Sequence, residues 1–165
     1  MMDERRVTLK SAAQIDKMAV AGRLVGEVLD AVAAEVRPGV ATAQLDALAE
    51  ELIRGAGGVP SFIGVPGPRG AYRHSLCISI NEEVVHGIPG PRRLRDGDLV
   101  SVDAGAIVEG WHGDAARTFL VGEVAVAGRQ LSAAAHDAML AGIAAAQPGG
   151  WLADISGAIE DVALR

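Results

Sequence analysis

Residues 99–118, LVSVDAGAIVEGWHGDAART, have the pattern of a β-hairpin that carries an aspartate on each arm. Side chains along a strand alternate between its two faces, which separates Asp103 from the valines next to it. Glu109-Gly110 predicts the turn, because glycine supplies the positive φ that a tight hairpin needs. A two-residue loop there places Asp103 and Asp114 on one face as diagonal neighbours, about 7–8 Å apart at the backbone.

The two aspartates are predicted to share a cation. The same register pairs Gly105 with Asp114, which leaves space for the two carboxylates to lean together. Two carboxylates in an apolar setting repel each other unless a proton or a cation lies between them. One divalent cation, or a pair of them, is the natural occupant. From the spacing alone a second interpretation stays open, in which both aspartates lie on the solvated face of a half-exposed sheet.

The composition favours one soluble domain. The 165 residues are half hydrophobic but only 3% aromatic, which predicts an aliphatic core. The net charge of −6 without a basic stripe gives no support for nucleic-acid binding. One cysteine excludes an internal disulfide and fits a reducing compartment. We see neither a signal peptide nor the apolar run of about 20 residues that spans a membrane, and we expect a cytoplasmic protein.

Two helices are predicted before the first strands. Ser11 and Gln14 form a capping box that starts a long helix, and Pro38-Gly39 ends it. Thr42 is the predicted cap of a second helix, which stops at 55–58. The apolar face of the first helix is predicted at Ile15, Met18, Gly22, Val25 and Leu29. That of the second is predicted at Leu45, Leu48, Ala49, Leu52 and Ile53.

The middle of the chain alternates loops and strands. Residues 59–73 are rich in proline and glycine, which predicts a loop. Residues 75–80 form an apolar strand, and Asn81-Glu82 turns the chain. The strand is predicted to resume at Val84-Val85, and helix to return at Leu131.

An internal repeat relates the two helical regions. Pro38-Gly39 matches Pro148-Gly149 at an offset of 110 residues, with helical patterns on both sides. The following helices share their phase: Leu45, Leu48, Glu50 and Leu52 fall on Ile155, Ala158, Glu160 and Val162. The first repeat continues into strands, whereas the second has only its helices up to Arg165. We interpret the match as a duplication.

Four histidines and one cysteine are candidates for chemistry. His86 lies at a strand end before Gly-Ile-Pro, where it could be a turn residue or face a cleft as a site residue. His112 could support the metal site or lie exposed near the hairpin tip. His74 and His136 are predicted to be structural or solvated, and Cys77 to be a small buried side chain. The sequence contains no nucleophile elbow, phosphate loop or dinucleotide fingerprint.

Three strings, SLCISINEEVVHGIP at 75–89, DGDLVSVDAG at 96–105 and HGDAARTF at 112–119, together resemble type I methionine aminopeptidases. The resemblance extends over nearly the whole chain from Leu9. It implies the α+β pita-bread fold with two related halves, of which the first repeat is complete here and the second has only its helices. Residues 1–165 then form a single catalytic-type domain that is incomplete at its C-terminus.

The resemblance also implies an activity. Members of this family remove the initiator methionine from nascent proteins with two divalent metal ions, and cobalt, manganese, iron, zinc and nickel are not distinguished by the sequence. The implied partners are the N-terminal methionine of nascent polypeptides and, as a further candidate, the ribosome.

The implied site residues follow from matching positions. Asp103 and Asp114 match two of the five metal ligands, with Asp114 bridging, and His86 matches a substrate-side histidine near the scissile amide. Tyr72 and Cys77 match lining positions of the methionine pocket. The remaining ligands, a histidine and two glutamates, and the second substrate-side histidine have no counterpart here, and the loop at 62–72 departs from the family pattern.

Two hypotheses follow. In the first, the chain is a truncated and inactive form of the metalloaminopeptidase. In the second, it is a non-catalytic half-domain of the same fold that acts as a binding or assembly module. A proline-specific relative is a third possibility, against which the string HGIP at 86–89 favours the methionine enzyme.

Overall fold

The computed structural model describes residues 8–67 and 70–165, so the first seven residues and two positions of the predicted loop, Pro68 and Arg69, lie outside it. Ten elements are defined in these ranges. They are α1 (Ala12–Glu35), α2 (Thr42–Gly55), β1 (Val59–Pro60), β2 (Pro66–Gly67), β3 (Gly70–Ala71), β4 (Leu76–Ile80), β5 (Leu99–Val108), β6 (Trp111–Leu120), α3 (Val126–Ala145) and α4 (Leu152–Ala163).

The predicted hairpin is confirmed in position and in register. β5 and β6 pair antiparallel along their whole length, with Asp103 opposite Ala116 and Gly105 opposite Asp114. The turn at residues 109–110 has φ angles of 49° and 81°. Positive φ at both central positions is the conformation that matches the twist of the two strands.

β5 is the central strand of the sheet. One of its edges carries β6, and the other carries β4 and, further along, β1, all antiparallel. The side chains of Val100, Val102, Ala104 and Ala106 are fully buried, and α1 and α2 pack over this side of the sheet. The alternation predicted from the sequence therefore separates a helix-covered face from the face that carries Asp103.

The capping box of α1 is confirmed. Ser11 Oγ accepts a hydrogen bond from Gln14 N (3.3 Å), and Gln14 Oε1 accepts one from Ser11 N (2.9 Å). The side chains that α1 buries are Ala21, Leu24, Val25, Val28, Leu29 and Val32.

The predicted apolar face of α1 is correct at Val25 and Leu29 but wrong in the first turns. Ile15 and Met18 are 54% and 39% exposed, and Gly22 is exposed as well. Lys17 pairs with Glu109 at the hairpin tip (3.2 Å), so the first turns of the helix lie at the end of the sheet with little to cover them.

Thr42 is not the cap of α2, contrary to the prediction. The cap residue is Ala41, whose N–H donates to Gln44 Oε1 (2.9 Å). The Thr42 hydroxyl instead accepts from Gly90 N (2.8 Å) and donates to Gly90 O (3.1 Å), so a partner distant in sequence takes the place of the local cap. The predicted apolar face is buried at Leu45, Ala49 and Ile53, half-buried at Leu48 and 36% exposed at Leu52.

Two loop predictions need correction. The region 59–73 contains three two-residue strands, because β1 pairs with β5 and β2 pairs with β3. No strand resumes at Val84-Val85, where both side chains are exposed. There the chain follows the outer edge of β4, to which it is attached by hydrogen bonds that include the one from Ile78 N to Gly87 O (2.8 Å).

The second helix pair repeats the plan of the first. α3 starts at Val126, before the predicted Leu131, and a Pro-Gly turn leads to α4 as predicted. Gly39 and Gly149 both have positive φ, at 91° and 85°. α3 and α4 pack mainly against each other, and no described residue after α3 forms a strand. None of the helices in the described ranges has the length and apolarity needed to cross a membrane.

Candidate metal and substrate site

The two aspartates of the hairpin lie on the face of the sheet opposite the helices. Asp114 is opposite Gly105, and Asp103 lies two residues before Gly105, which puts both side chains on the same face. Asp103 is half-buried and Asp114 is exposed. The structure thus brings together the pair that the sequence analysis selected, while their role as metal ligands stays a prediction.

Asp103 has an unsatisfied buried oxygen. Its Oδ1 atom is buried and has no hydrogen-bond partner among the described residues. Burial raises the pKa of the Asp103 carboxyl, the charge of Asp114 raises it further, and His86 lowers it. A buried carboxylate oxygen without a donor, beside a second carboxylate, is an environment that a divalent cation would stabilise. The residues present therefore fit a cation.

The ligand set is small. Within residues 8–67 and 70–165, no group of three or more His, Cys, Asp and Glu side chains is arranged to hold a metal ion. Two carboxylates provide few of the six or so oxygen ligands that hard divalent cations take. We therefore expect this chain by itself to bind such cations weakly.

An apolar cavity of about 530 Å³ opens beside Asp103. Its lining residues are Phe62, Val65, Pro66, Gly67, Gly70, Tyr72, Cys77, His86, Ile88 and Asp103. Burial raises the pKa of the Tyr72 hydroxyl above its usual range and also raises that of the Cys77 thiol, so both groups are neutral at physiological pH. The cavity suits an uncharged side chain. Asp103 and His86 are the other titratable residues in its wall.

His86 lies at the rim of this cavity on an irregular segment. Its backbone φ is 60°, in the left-handed region that residues other than glycine rarely adopt. From the sequence, His86 is either a turn residue or a residue that faces a cleft; in the structure it lines the cavity together with Asp103. The substrate role implied for it stays a prediction.

The other three histidines form no hydrogen bond or ion pair with Asp103 or Asp114 in the described part of the chain. His112 Nδ1 lies 3.2 Å from Ser61 Oγ near the exposed tip. His74 is structural, because its Nδ1 atom lies 2.7 Å from Oδ2 of the buried Asp46. His136 is exposed on α3.

Asp46 is a structural residue that the sequence analysis did not single out. Its Oδ1 atom accepts hydrogen bonds from Ser75 N (2.8 Å) and Leu76 N (2.9 Å), which anchors the start of β4 to α2. A signal was present, since Asp46 interrupts the buried face of the helix next to Leu45. Its partners could not be read from the sequence, because they lie about 30 residues away.

Gly105 is closely packed for a reason other than the one expected. A Cβ atom there would lie 2.8 Å from Phe62 Cε1 and 2.9 Å from Ser61 Cβ. The space in front of Gly105 is thus taken by the segment after β1, whose Phe62 ring lines the cavity, rather than by the carboxylates.

Known proteins resemble this chain in sequence. Over 157 residues it is 47% identical to methionine aminopeptidase 1 of Mycobacterium tuberculosis, a match that covers 94% of this chain and 58% of that protein. The chain thus spans less than two thirds of that relative's length.

Solved structures confirm the predicted pita-bread fold. The crystal structure of methionine aminopeptidase from Rickettsia prowazekii superposes with a TM-score of 0.92 at 35% identity, covering 96% of this chain and 62% of that one. A Xaa-Pro dipeptidase from Bacillus anthracis has a TM-score of 0.80 at 19% identity, covering 94% and 41%, and shows the shared fold alone. In sequence, the model of metallopeptidase family M24 matches residues 16–165, which is most of the chain, and the protein therefore belongs to this family.

Proposed function

We propose that this protein carries part of the site of a metalloaminopeptidase that removes the N-terminal methionine from nascent polypeptides in the cytoplasm, and that residues 1–165 by themselves are inactive. The observation that carries the proposal is the buried Oδ1 of Asp103, which has no hydrogen-bond partner among the described residues, shares a face with Asp114 and borders an apolar cavity. The similarity to proteins named methionine aminopeptidase supports it. Residues 1–165 are on this proposal part of one catalytic-type domain.

Each residue of the site has a distinct task in the proposal. Asp103 and Asp114 hold divalent cations, and the resemblance implies three further ligands that this chain does not supply. The chemistry that such cations contribute is polarisation of the scissile carbonyl and activation of water. The cavity binds the methionine side chain, with Tyr72 and Cys77 in its wall. His86, at the rim, hydrogen-bonds near the scissile amide.

The first test measures cation binding by the 165-residue chain. Titration calorimetry with Mn²⁺ or Co²⁺ should show weak binding that Asp103→Asn and Asp114→Asn each abolish. Asp137→Asn is the matched control, because Asp137 is an exposed acid on α3 away from the hairpin. Equal binding by all three variants would contradict the assignment of the hairpin aspartates.

The second test measures methionine release from a Met-Ala peptide with added Mn²⁺ or Co²⁺. With two carboxylate ligands alone, we expect release far slower than that of a complete family enzyme. Fast turnover that disappears in Asp114→Asn would show that two hairpin carboxylates suffice. Absence of any cation binding and any peptide binding would overturn the proposed function.

A second candidate function is a binding or assembly module without catalysis. The observation that favours it is the set of exposed apolar side chains on the second helix pair: Leu131, Met139, Leu140, Ile143, Trp151 and Leu152. Apolar patches of this kind mark surfaces that other proteins cover. A product that associates with a partner in cells but never binds a cation would support this function over the enzymatic one.

A further inference from the structure

We propose that Ser79 is a positioning residue whose hydroxyl holds His86 in place at the rim of the cavity. The inference rests on the proposed function in one respect, namely that His86 contacts the substrate. The positioning itself depends only on contacts within the chain. Ser79 lies on β4 and is buried, with 4% of its surface exposed.

The backbone at His86 needs an external restraint. Its φ of 60° is a conformation that residues with a Cβ adopt rarely and keep only when their surroundings impose it. The side chain is exposed, and the flanking residues Val85 and Ile88 are exposed as well, so packing around the histidine supplies little of that restraint. Hydrogen bonds of the neighbouring peptide groups supply a restraint.

Gly87, the residue that follows His86, is hydrogen-bonded through both its backbone N–H and its backbone C=O. Gly87 N donates to Ser79 Oγ (3.0 Å), and Gly87 O accepts from Ile78 N (2.8 Å). The approach is so close that a Cβ on Gly87 would overlap the backbone of Ile78 and Ser79. The segment is therefore tied to the edge of β4 immediately after the histidine.

The side-chain atom of β4 that holds Gly87 is the hydroxyl oxygen of Ser79. The bond from Ile78 is made by the backbone and persists whatever side chain is present, whereas the bond to Gly87 N requires a hydroxyl at position 79. Without that acceptor, a partly buried N–H loses its partner, which disfavours the observed conformation. Ser79 is also a polar residue among the apolar residues of a fully buried strand, a pattern that this hydrogen bond explains.

Tyr72 contacts Gly87 and also lines the cavity. Its hydroxyl donates to Leu76 O (2.8 Å) and lies 3.4 Å from Gly87 O. The ring lines the same cavity as His86. Release of Gly87 from Ser79 should therefore loosen the histidine and the cavity wall together.

The test compares Ser79→Ala with Ser101→Ala by amide hydrogen exchange and by the NMR signals of the His86 ring. Ser101 is the partner of Ser79 in the β4–β5 register, and its hydroxyl bonds to Thr118 Oγ1 (2.9 Å) away from the His86 segment. We expect exchange at the Gly87 amide to accelerate about tenfold in Ser79→Ala, with shifted His86 signals, and to stay unchanged in Ser101→Ala. Exchange at Val102, in the core, should not change in either variant.

Two further variants keep the test decisive if Ser79→Ala fails to fold. Ser79→Cys preserves the shape with a weaker acceptor and should give a smaller acceleration at Gly87. Ser79→Thr keeps the hydroxyl and should restore both protection and His86 signals. Equal Gly87 exchange in the wild-type, Ser79→Cys and Ser101→Ala proteins would overturn the proposal.

A Met-Ala titration separates this inference from the proposed function. We expect Met-Ala to perturb the wild-type His86 signals and to bind about fivefold more weakly to Ser79→Ala. A wild-type protein that binds no Met-Ala would count against the proposed function, while exchange at Gly87 would still decide the role of Ser79.

Discussion

The two helix pairs of the molecule have the same pattern and different surroundings. Leu45 on α2 is 1% exposed, whereas its repeat counterpart Ile155 on α4 is only partly buried. Leu29 on α1 is 2% exposed, but Met139, which lies 110 residues later on α3, is 47% exposed. The same helical periodicity therefore produces a buried face in one pair and an open face in the other.

The difference shows that an amphipathic pattern specifies a helix but not its burial. α1 and α2 pack against β4, β5 and β6, and their apolar side chains join those of the sheet in a single core. α3 and α4 have no such sheet within the described residues, so their contact is mainly with each other. An apolar face without a cover promotes association, and we expect the isolated chain to be poorly soluble or associated.

The largest expected effect on stability contrasts Leu45, in the closed core, with its repeat counterpart Ile155. Leu45→Ala should lower the free energy of unfolding by about 3 kcal/mol, because it leaves a cavity in a closed core. Ile155→Ala should cost about 1 kcal/mol, because its site is partly open to water. Urea unfolding of both variants, followed by circular dichroism, measures the two values. Equal losses would show that the second pair is as closely packed as the first.

Gly113 on β6 and Gly142 on α3 both lie close to a neighbouring helix, but they differ in which atoms an added side chain would meet. A Cβ on Gly113 would lie 2.5 Å from the backbone C and O of Ala21, whereas one on Gly142 would lie 2.9 Å from the flexible end of Ile159. Gly113→Ala should therefore destabilise the chain by about 2 kcal/mol, since α1 must move from β6.

Gly142→Ala is the matched case on α3, and its effect should stay within about 1 kcal/mol of zero. The higher helix propensity of alanine there offsets the repacking of Ile159. Thermal unfolding of the two variants compares them, and a larger loss for Gly142→Ala would contradict the flexible packing between α3 and α4.

The face of the sheet that carries Asp103 and Asp114 should slightly lower the folding stability of the chain in the absence of metal. The pKa of Asp103 is raised by burial and by Asp114, so its charged form is less favourable in the folded chain than in the unfolded one. This group thus favours folding most below its unfolded pKa of about 3.9, and that contribution is lost as the pH rises through the folded value.

Asp103→Asn should accordingly stabilise the metal-free chain at neutral pH, by less than about 1 kcal/mol because the carboxyl keeps contact with water. The gain should vanish at low pH. Urea unfolding with a chelator, from about pH 3 to about pH 8, measures it. A gain that persists at low pH would point to a cause other than charge, and Asp137→Asn should show no pH-dependent gain.

The smallest expected effect on stability concerns Met139, on the exposed face of α3. Met139→Lys should change the free energy of unfolding by less than about 0.5 kcal/mol, because the side chain is already half exposed. The same change should reduce association of the chain, which sedimentation velocity measures. A large loss of stability would show that the α3 face is covered in solution.

Local rules accounted for much of the fold and for the choice of site residues. The alternation of side chains along a strand, with a period of two residues, and the turn at 109–110 predicted Asp103 and Asp114 on one face, in the observed register. The capping box at Ser11 and both Pro-Gly turns were also recognisable, because each depends on residues within one turn of the chain. The choice of His86 rested on resemblance together with a predicted strand end, and the structure has no strand there.

What the sequence by itself determined is the position of α1, α2 and the hairpin and which hairpin side chains share a face, since these follow from backbone sterics and from periods of a few residues. Only the tertiary structure decided the partners of Thr42, Asp46 and Ser79, which are hydrogen bonds to peptide groups 8 to 48 residues away. It also decided that Phe62 occupies the space before Gly105 and that the first turns of α1 stay exposed. The physical reason is that a hydrogen bond or a packing contact depends on which groups the fold brings together, and no local pattern encodes that.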